Sequence, residues 1–134
     1  MKSYLDGALT VEQLGGDPAA GAFRAADARG AVAWLARGGS YQYLHVVEYA
    51  EAGVRRGFHV HADHTEHLYV FLGSLRLLAR RDGQTVDLEL SAGHLAVMGP
   101  GVAHGLIARE PAVAVILGHG SDPVHDVQPV PDLA

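Results

Sequence analysis

From residue 31 onward the chain is a succession of short apolar segments, each closed by a turn residue before it reaches the length of a typical helix. Segments 31–35, 41–49, 58–61, 66–72, 75–81, 85–90, 94–98, 104–108 and 112–117 read as strands, rich in β-branched and aromatic residues. Gly73-Ser74 separates Leu68-Tyr69-Val70-Phe71-Leu72 from Leu75-Arg76-Leu77-Leu78, and Asp82-Gly83 is a stronger hairpin signal between 75–81 and 85–90. Eight or nine such strands predict a sandwich or closed barrel, and 134 residues suit one domain with a core of its own. Residues 1–30 read as an N-terminal arm, 31–120 as the barrel and 121–134, with three prolines, as an extended tail. The arm offers one helical turn at 10–14, where Thr10 and Gln13 have capping-box spacing, and a weak alanine-rich helix at 19–28.

The chain has nine histidines, and four of them, His59, His61, His64 and His67, fall within nine positions. Side chains at i and i+2 of a strand share a face, so His59 and His61 point together. Beyond a turn, Glu66 opens the next strand and can bring a carboxylate beside them, while His67 faces the other way and His64 sits in the turn, both as surface residues. His104, just past Gly99-Pro100-Gly101, is the best source of a further imidazole. Three imidazoles and one carboxylate suit a divalent transition metal, with iron, manganese, nickel, zinc and copper all acceptable. A helical His-Glu-x-x-His zinc site is absent, and Val60, Thr65 and Val70 disfavour a helix here.

These stretches resemble the cupin family. Gly53, five residues, His59-Val60-His61, four residues, Glu66, six residues and Gly73 match every fixed position of the first cupin motif. Gly93, Gly101 and His104 match most of the second; Gly99 stands where its proline is usual and Ala108 where its asparagine is usual. The resemblance implies an all-β, single-domain jelly-roll barrel, a metal held by His59, His61, Glu66 and His104, and an enzyme of oxygenase, isomerase, cyclase or lyase type acting on a small organic molecule. It also implies a homodimer. Within the same fold, Arg56-Gly57-Phe58-His59 resembles the Arg-Gly-x-His segment of nucleotide-deoxysugar epimerases and keto-isomerases, which need no metal. There a histidine removes a proton next to a ketone and an arginine binds the nucleotide phosphates, the roles that would fall to His59 and Arg56. A small-molecule-binding cupin without catalysis is a third reading.

Other residues are placed less sharply. Alternation groups Tyr41, Tyr43, His45, Val47 and Tyr49 on one face of the 41–49 strand and leaves open whether that face lines the cavity. If it does, Tyr43 and His45 would touch substrate beside Glu66, with Arg56 and Met98 as further substrate contacts. The net charge of −5 argues against a nucleic-acid partner, since phosphate binding needs a basic stripe. With no cysteine, disulfides, thiolate sites and cysteine nucleophiles are excluded, and a reducing cytoplasm is expected. No signal-like apolar segment opens the chain, and no apolar run nears the roughly 20 residues that span a bilayer, so no membrane partner is expected.

Overall fold

Strand alternation decides the architecture. In the computed structural model, which describes residues 1–133, the strands are β1 (Lys2–Tyr4), β2 (Leu9–Gln13), β3 (Phe23–Asp27), β4 (Gly30–Trp34), β5 (Tyr43–Tyr49), β6 (Arg55–Val60) and β7 (His64–Leu72). They are followed by β8 (Ser74–Arg81), β9 (Gln84–Ser91), β10 (His94–Met98), β11 (Ala103–Ala108), β12 (Ala112–Gly120) and β13 (Gln128–Pro129). One sheet runs β1-β2-β10-β7-β12-β5, the facing one β13-β6-β11-β8-β9, and β3-β4 forms a separate hairpin. Every pairing is antiparallel, and strands distant in sequence lie side by side, as in a jelly roll. Leu9, Leu68, Val70, Leu75, Leu77, Leu90, Met98 and Val102 are all but inaccessible between the sheets, and this apolar burial is the main stabilising term. No helix among the described residues is long and apolar enough to cross a membrane.

Asp82-Gly83 makes the β8–β9 hairpin as its composition predicts, with both residues at positive φ. The amino-terminal expectations need correcting. The helical turn at 10–14 is instead the strand β2, which pairs with β10 from Met98↔Leu9 to His94↔Gln13. The alanine-rich helix at 19–28 is instead β3, held against β4 on the outer face of the larger sheet, where Phe23 stacks on Trp34. Alanine's helix propensity is overridden by strand pairing and by a turn in which the Asp27 carboxylate accepts the Arg29 amide. The tail packs along the barrel, with β13 on the free edge of β6 and Leu133 buried beside Leu78 and Ala103.

Candidate functional site

β6 carries the centre of the site and is not a regular strand. Its register against β11 slips between His104 and Gly105, so that His59 faces His104 and Gly57 faces Gly105 while Phe58 is left over. Gly57 and Phe58 both have positive φ, at 82° and 57°. Glycine tolerates that conformation and leaves room for the His104 carbonyl, which a Cβ at position 57 would meet at 3.1 Å. In a regular strand, residues three apart face opposite sides. Here the bulge turns both Arg56 and His59 to one cavity of about 280 Å³, whose wall also includes His45, Tyr49, His61, Glu66 and His104.

The structure brings His59, His61, Glu66 and His104 together: one nitrogen or oxygen from each lies within 4.8 Å of the others. Ring centroids of His59 lie 4.5 Å from His61 and 4.9 Å from His104. Glu66 points inward from β7 by the same alternation that buries Leu68 and Val70. Its Oε1 lies 3.0 Å from His61 Nε2 and 3.3 Å from His64 Nε2, and its Oε2 lies 3.4 Å from His104 Nε2. His104 Nδ1 donates to the Val102 carbonyl at 3.0 Å and His61 Nδ1 to the Asp126 carbonyl at 2.5 Å. Each of these two rings therefore presents Nε2 to the Glu66 carboxylate.

The cluster shares its charge unevenly. Burial pushes the Glu66 carboxyl up, but hydrogen bonds from His104 and His61 and their charge hold it well below the usual carboxylate range. Burial pushes His61 down, but its bonds to Glu66 and to the Asp126 carbonyl raise it above an ordinary histidine. His59 has no such partner: burial, with the like charges of His104 and His61, lowers it to about 4 and keeps it neutral near neutral pH. The site thus pairs a neutral imidazole with an ionised carboxylate that neighbouring imidazoles hold by hydrogen bonds.

The tyrosine face of β5 is the inner one. His45, Val47 and Tyr49 line the cavity, while Leu44 and Val46 face outward. Tyr43 stacks on His45 at 5.8 Å, and its buried hydroxyl has no hydrogen-bond partner among the described residues; burial, then the Glu66 charge, raises its pKa. Arg56 is exposed at the mouth, its Nε bonded to the Glu48 carbonyl at 3.1 Å. Met98, expected to touch substrate, is instead in the core, opposite Glu66 in the β7–β10 pairing, because its side of β10 faces the interior. His67 faces away from Glu66 and is half-buried beside Tyr41 and His119. His64, expected at the surface, is fully buried between Glu66 and Asp126. β7 already begins at His64, so its i, i+2 spacing to Glu66 was the available signal. Asp126 is 60 residues from Glu66 and nothing in its local sequence marks it.

No family model and no curated protein matches the sequence. Solved structures do match. QdtA, a sugar 3,4-ketoisomerase from Thermoanaerobacterium thermosaccharolyticum solved with TDP, superposes with a TM-score of 0.74 at 15% identity, over 93% of this chain and 90% of that one. A variant of that enzyme solved with TDP-4-keto-6-deoxyglucose gives 0.73 at 15% identity, over 90% and 86%. ChmJ, a 3′-monoepimerase from Streptomyces bikiniensis solved with dTDP-quinovose, gives 0.78 at 14% identity, over 100% of this chain and 77% of that one. These comparisons correct two expectations, that of a metal-dependent cupin of oxygenase, isomerase, cyclase or lyase type and that of a required divalent transition metal. The architecture is that of nucleotide-sugar isomerases and epimerases, the class that the Arg56-Gly57-Phe58-His59 resemblance associates with a histidine base and no metal. At these identities the likeness establishes architecture, and the chain has the cupin jelly-roll fold.

Proposed function

We propose that the chain is an epimerase or keto-isomerase of a nucleotide-linked keto-deoxysugar, with His59 as general base. The observation that carries this reading is the β6 bulge, which sets Arg56 at the mouth and a neutral His59 inside the same cavity. The sugar ring occupies the cavity, and the Arg56 guanidinium takes the diphosphate where it meets solvent. His59 removes the proton from the carbon beside the ketone, and the electron pair of that C–H bond moves to the ketone oxygen as an enolate forms. The histidine cluster around Glu66, in which His61 is raised above an ordinary histidine, supplies hydrogen-bond donors to that oxygen. Return of a proton to the same carbon from the opposite face gives the epimer. Return to the former carbonyl carbon, with the neighbouring hydroxyl's proton passing to the former ketone oxygen, gives the isomeric ketone. His45 lines the cavity and is positioned to contact the sugar, whereas Tyr43, expected to touch substrate, packs against the core with its hydroxyl beside Gly118.

The test is to incubate the purified chain with TDP-4-keto-6-deoxyglucose in D₂O and follow the sugar by proton NMR. Deuterium should enter beside the ketone, and His59→Asn should slow that exchange by about 10²–10⁴-fold, the usual contribution of a general base. A wild-type chain that exchanges no faster than buffer would overturn the reading. We also propose a homodimer, supported by the exposed Leu44, Val46, Phe71 and Leu72 on the outside of the β5–β12–β7 sheet. Light scattering should give twice the mass of one chain, reverting toward one chain in Val46→Glu.

A further inference from the structure

We infer that the carboxy-terminal segment is a strap that aligns the catalytic imidazoles, and that Asp126 is the positioning residue that fastens it. The carboxylate of Asp126 accepts the Ala62 amide at 2.9 Å and the Asp63 amide at 2.8 Å, and lies 3.3 Å from His64 Nδ1. Its main-chain carbonyl accepts the His61 Nδ1 proton. One tail residue therefore holds the loop between β6 and β7 by three groups and sets two site histidines at once. The segment then follows β6 backward: Gln128 and Pro129 pair with Val60 and His59, and the Val130 amide donates to the Phe58 carbonyl at 2.7 Å. Leu133 closes the contact in the apolar cluster with Leu78 and Ala103, against which Phe58 and Val60 pack.

The consequence is geometric. β11 holds β6 along one edge, and without the tail the other edge would be open and the bulge supported from one side only. The bond to the Asp126 carbonyl fixes which His61 nitrogen carries a proton outward, so that Nε2 faces Glu66. His64, with side-chain atoms fully covered, bridges Glu66 inside to Asp126 at the surface and braces the Glu66 carboxylate from behind. Catalytic groups lose activity steeply when displaced by about 1 Å, so fastening of this kind acts on the chemical step rather than on substrate affinity. Its effect on turnover rests on the nucleotide-sugar reading, whereas the strap itself does not.

The experiment compares the unaltered chain with Asp126→Ala and Asp126→Asn, each confirmed as folded by far-ultraviolet circular dichroism. Long-range proton–nitrogen NMR of the imidazoles reads the strap directly. The wild type should show His61 protonated at Nδ1, and Asp126→Ala should shift the His61 and His64 nitrogens while leaving His94, at the start of β10, unchanged. Asp126→Asn retains one acceptor oxygen, and should lie between the two and serve if the alanine variant does not fold. In the isotope-exchange assay Asp126→Ala should lower kcat by about 10–100-fold with KM changed less than about threefold. Unchanged His61 and His64 nitrogens in both variants, or a loss confined to KM, would overturn the proposal. If the wild type does not act on the nucleotide sugar, the functional reading fails, and the imidazole spectra still decide the strap.

Discussion

β11 has two neighbours that differ in kind. Against β8 it pairs without interruption from Ala103↔Arg80 to Ala108↔Leu75, and against β6 the register breaks at His104. The β8 side places Leu75, Leu77 and Ala79 in the core and ends in the Asp82-Gly83 hairpin, a pairing built wholly from local preference. The β6 side places a left-handed glycine and phenylalanine in the middle of a strand and turns Arg56 and His59 into one cavity. The regular flank holds the sheet together, and the irregular flank holds the chemistry. Backbone strain of this kind persists only where surrounding pairing over-determines it, which β11 on one side and the tail on the other provide.

The division breaks most visibly on the regular flank. Leu77→Ala removes a fully buried side chain and should cost about 2–5 kcal/mol in urea unfolding. The folded protein should keep its isotope-exchange rate; a parallel loss of exchange would mean that the two flanks are not separable. Gly57→Ala attacks the other flank. The positive φ and the nearby His104 carbonyl should make it cost about 1–3 kcal/mol in a thermal melt. Here exchange should fall in the folded protein, because straightening the bulge sends Arg56 and His59 to opposite faces.

Acid titration sharpens the comparison. An unfolded histidine binds its proton near pH 6.5, and folded His59 does so only near 4. Its contribution to stability is therefore present above 6.5 and is lost as pH falls from there toward 4. His61, raised in the fold, acts in the opposite sense, so the His59 share is read as the difference between wild type and His59→Asn in urea midpoints across that window. The β8–β9 hairpin contains no histidine and adds nothing to it. The smallest effect belongs to Arg76→Ala, which removes a 2.7 Å pair with Asp87 on the outer, solvated face of that hairpin. It should cost less than about 1 kcal/mol, measurable as a slight shift in the urea midpoint.

Much of the fold was legible because the signals are local. Period-two alternation and turn residues placed β5 through β12 to within a few residues, since a strand's faces and a hairpin's turn are set by neighbours in the chain. The amino-terminal strands were misread because their conformation is imposed by partners: β2 by β10, and β3 by β4. Within the site, His59 and His61 share a face by spacing, and Glu66 follows from the alternation of β7. Met98 was misplaced because sequence does not say which inward positions of the sheet meet the cavity and which are covered by packed core side chains.

The sequence by itself determined the strand pattern and the inventory of groups: one arginine and three histidines, His59, His61 and His104, that could meet a glutamate, to which the structure adds His64. Only the tertiary structure decided how they meet. The register slip on β6 turns Arg56 and His59 to one side, and the tail brings Asp126 across the sheet edge to His61 and His64. Both depend on pairings between segments far apart in the chain, where backbone hydrogen bonds and packing, rather than any residue's own preference, choose the geometry. The same distinction separates a neutral base from its hydrogen-bonded neighbours, because burial and charge at one position are set by whatever the fold packs against it.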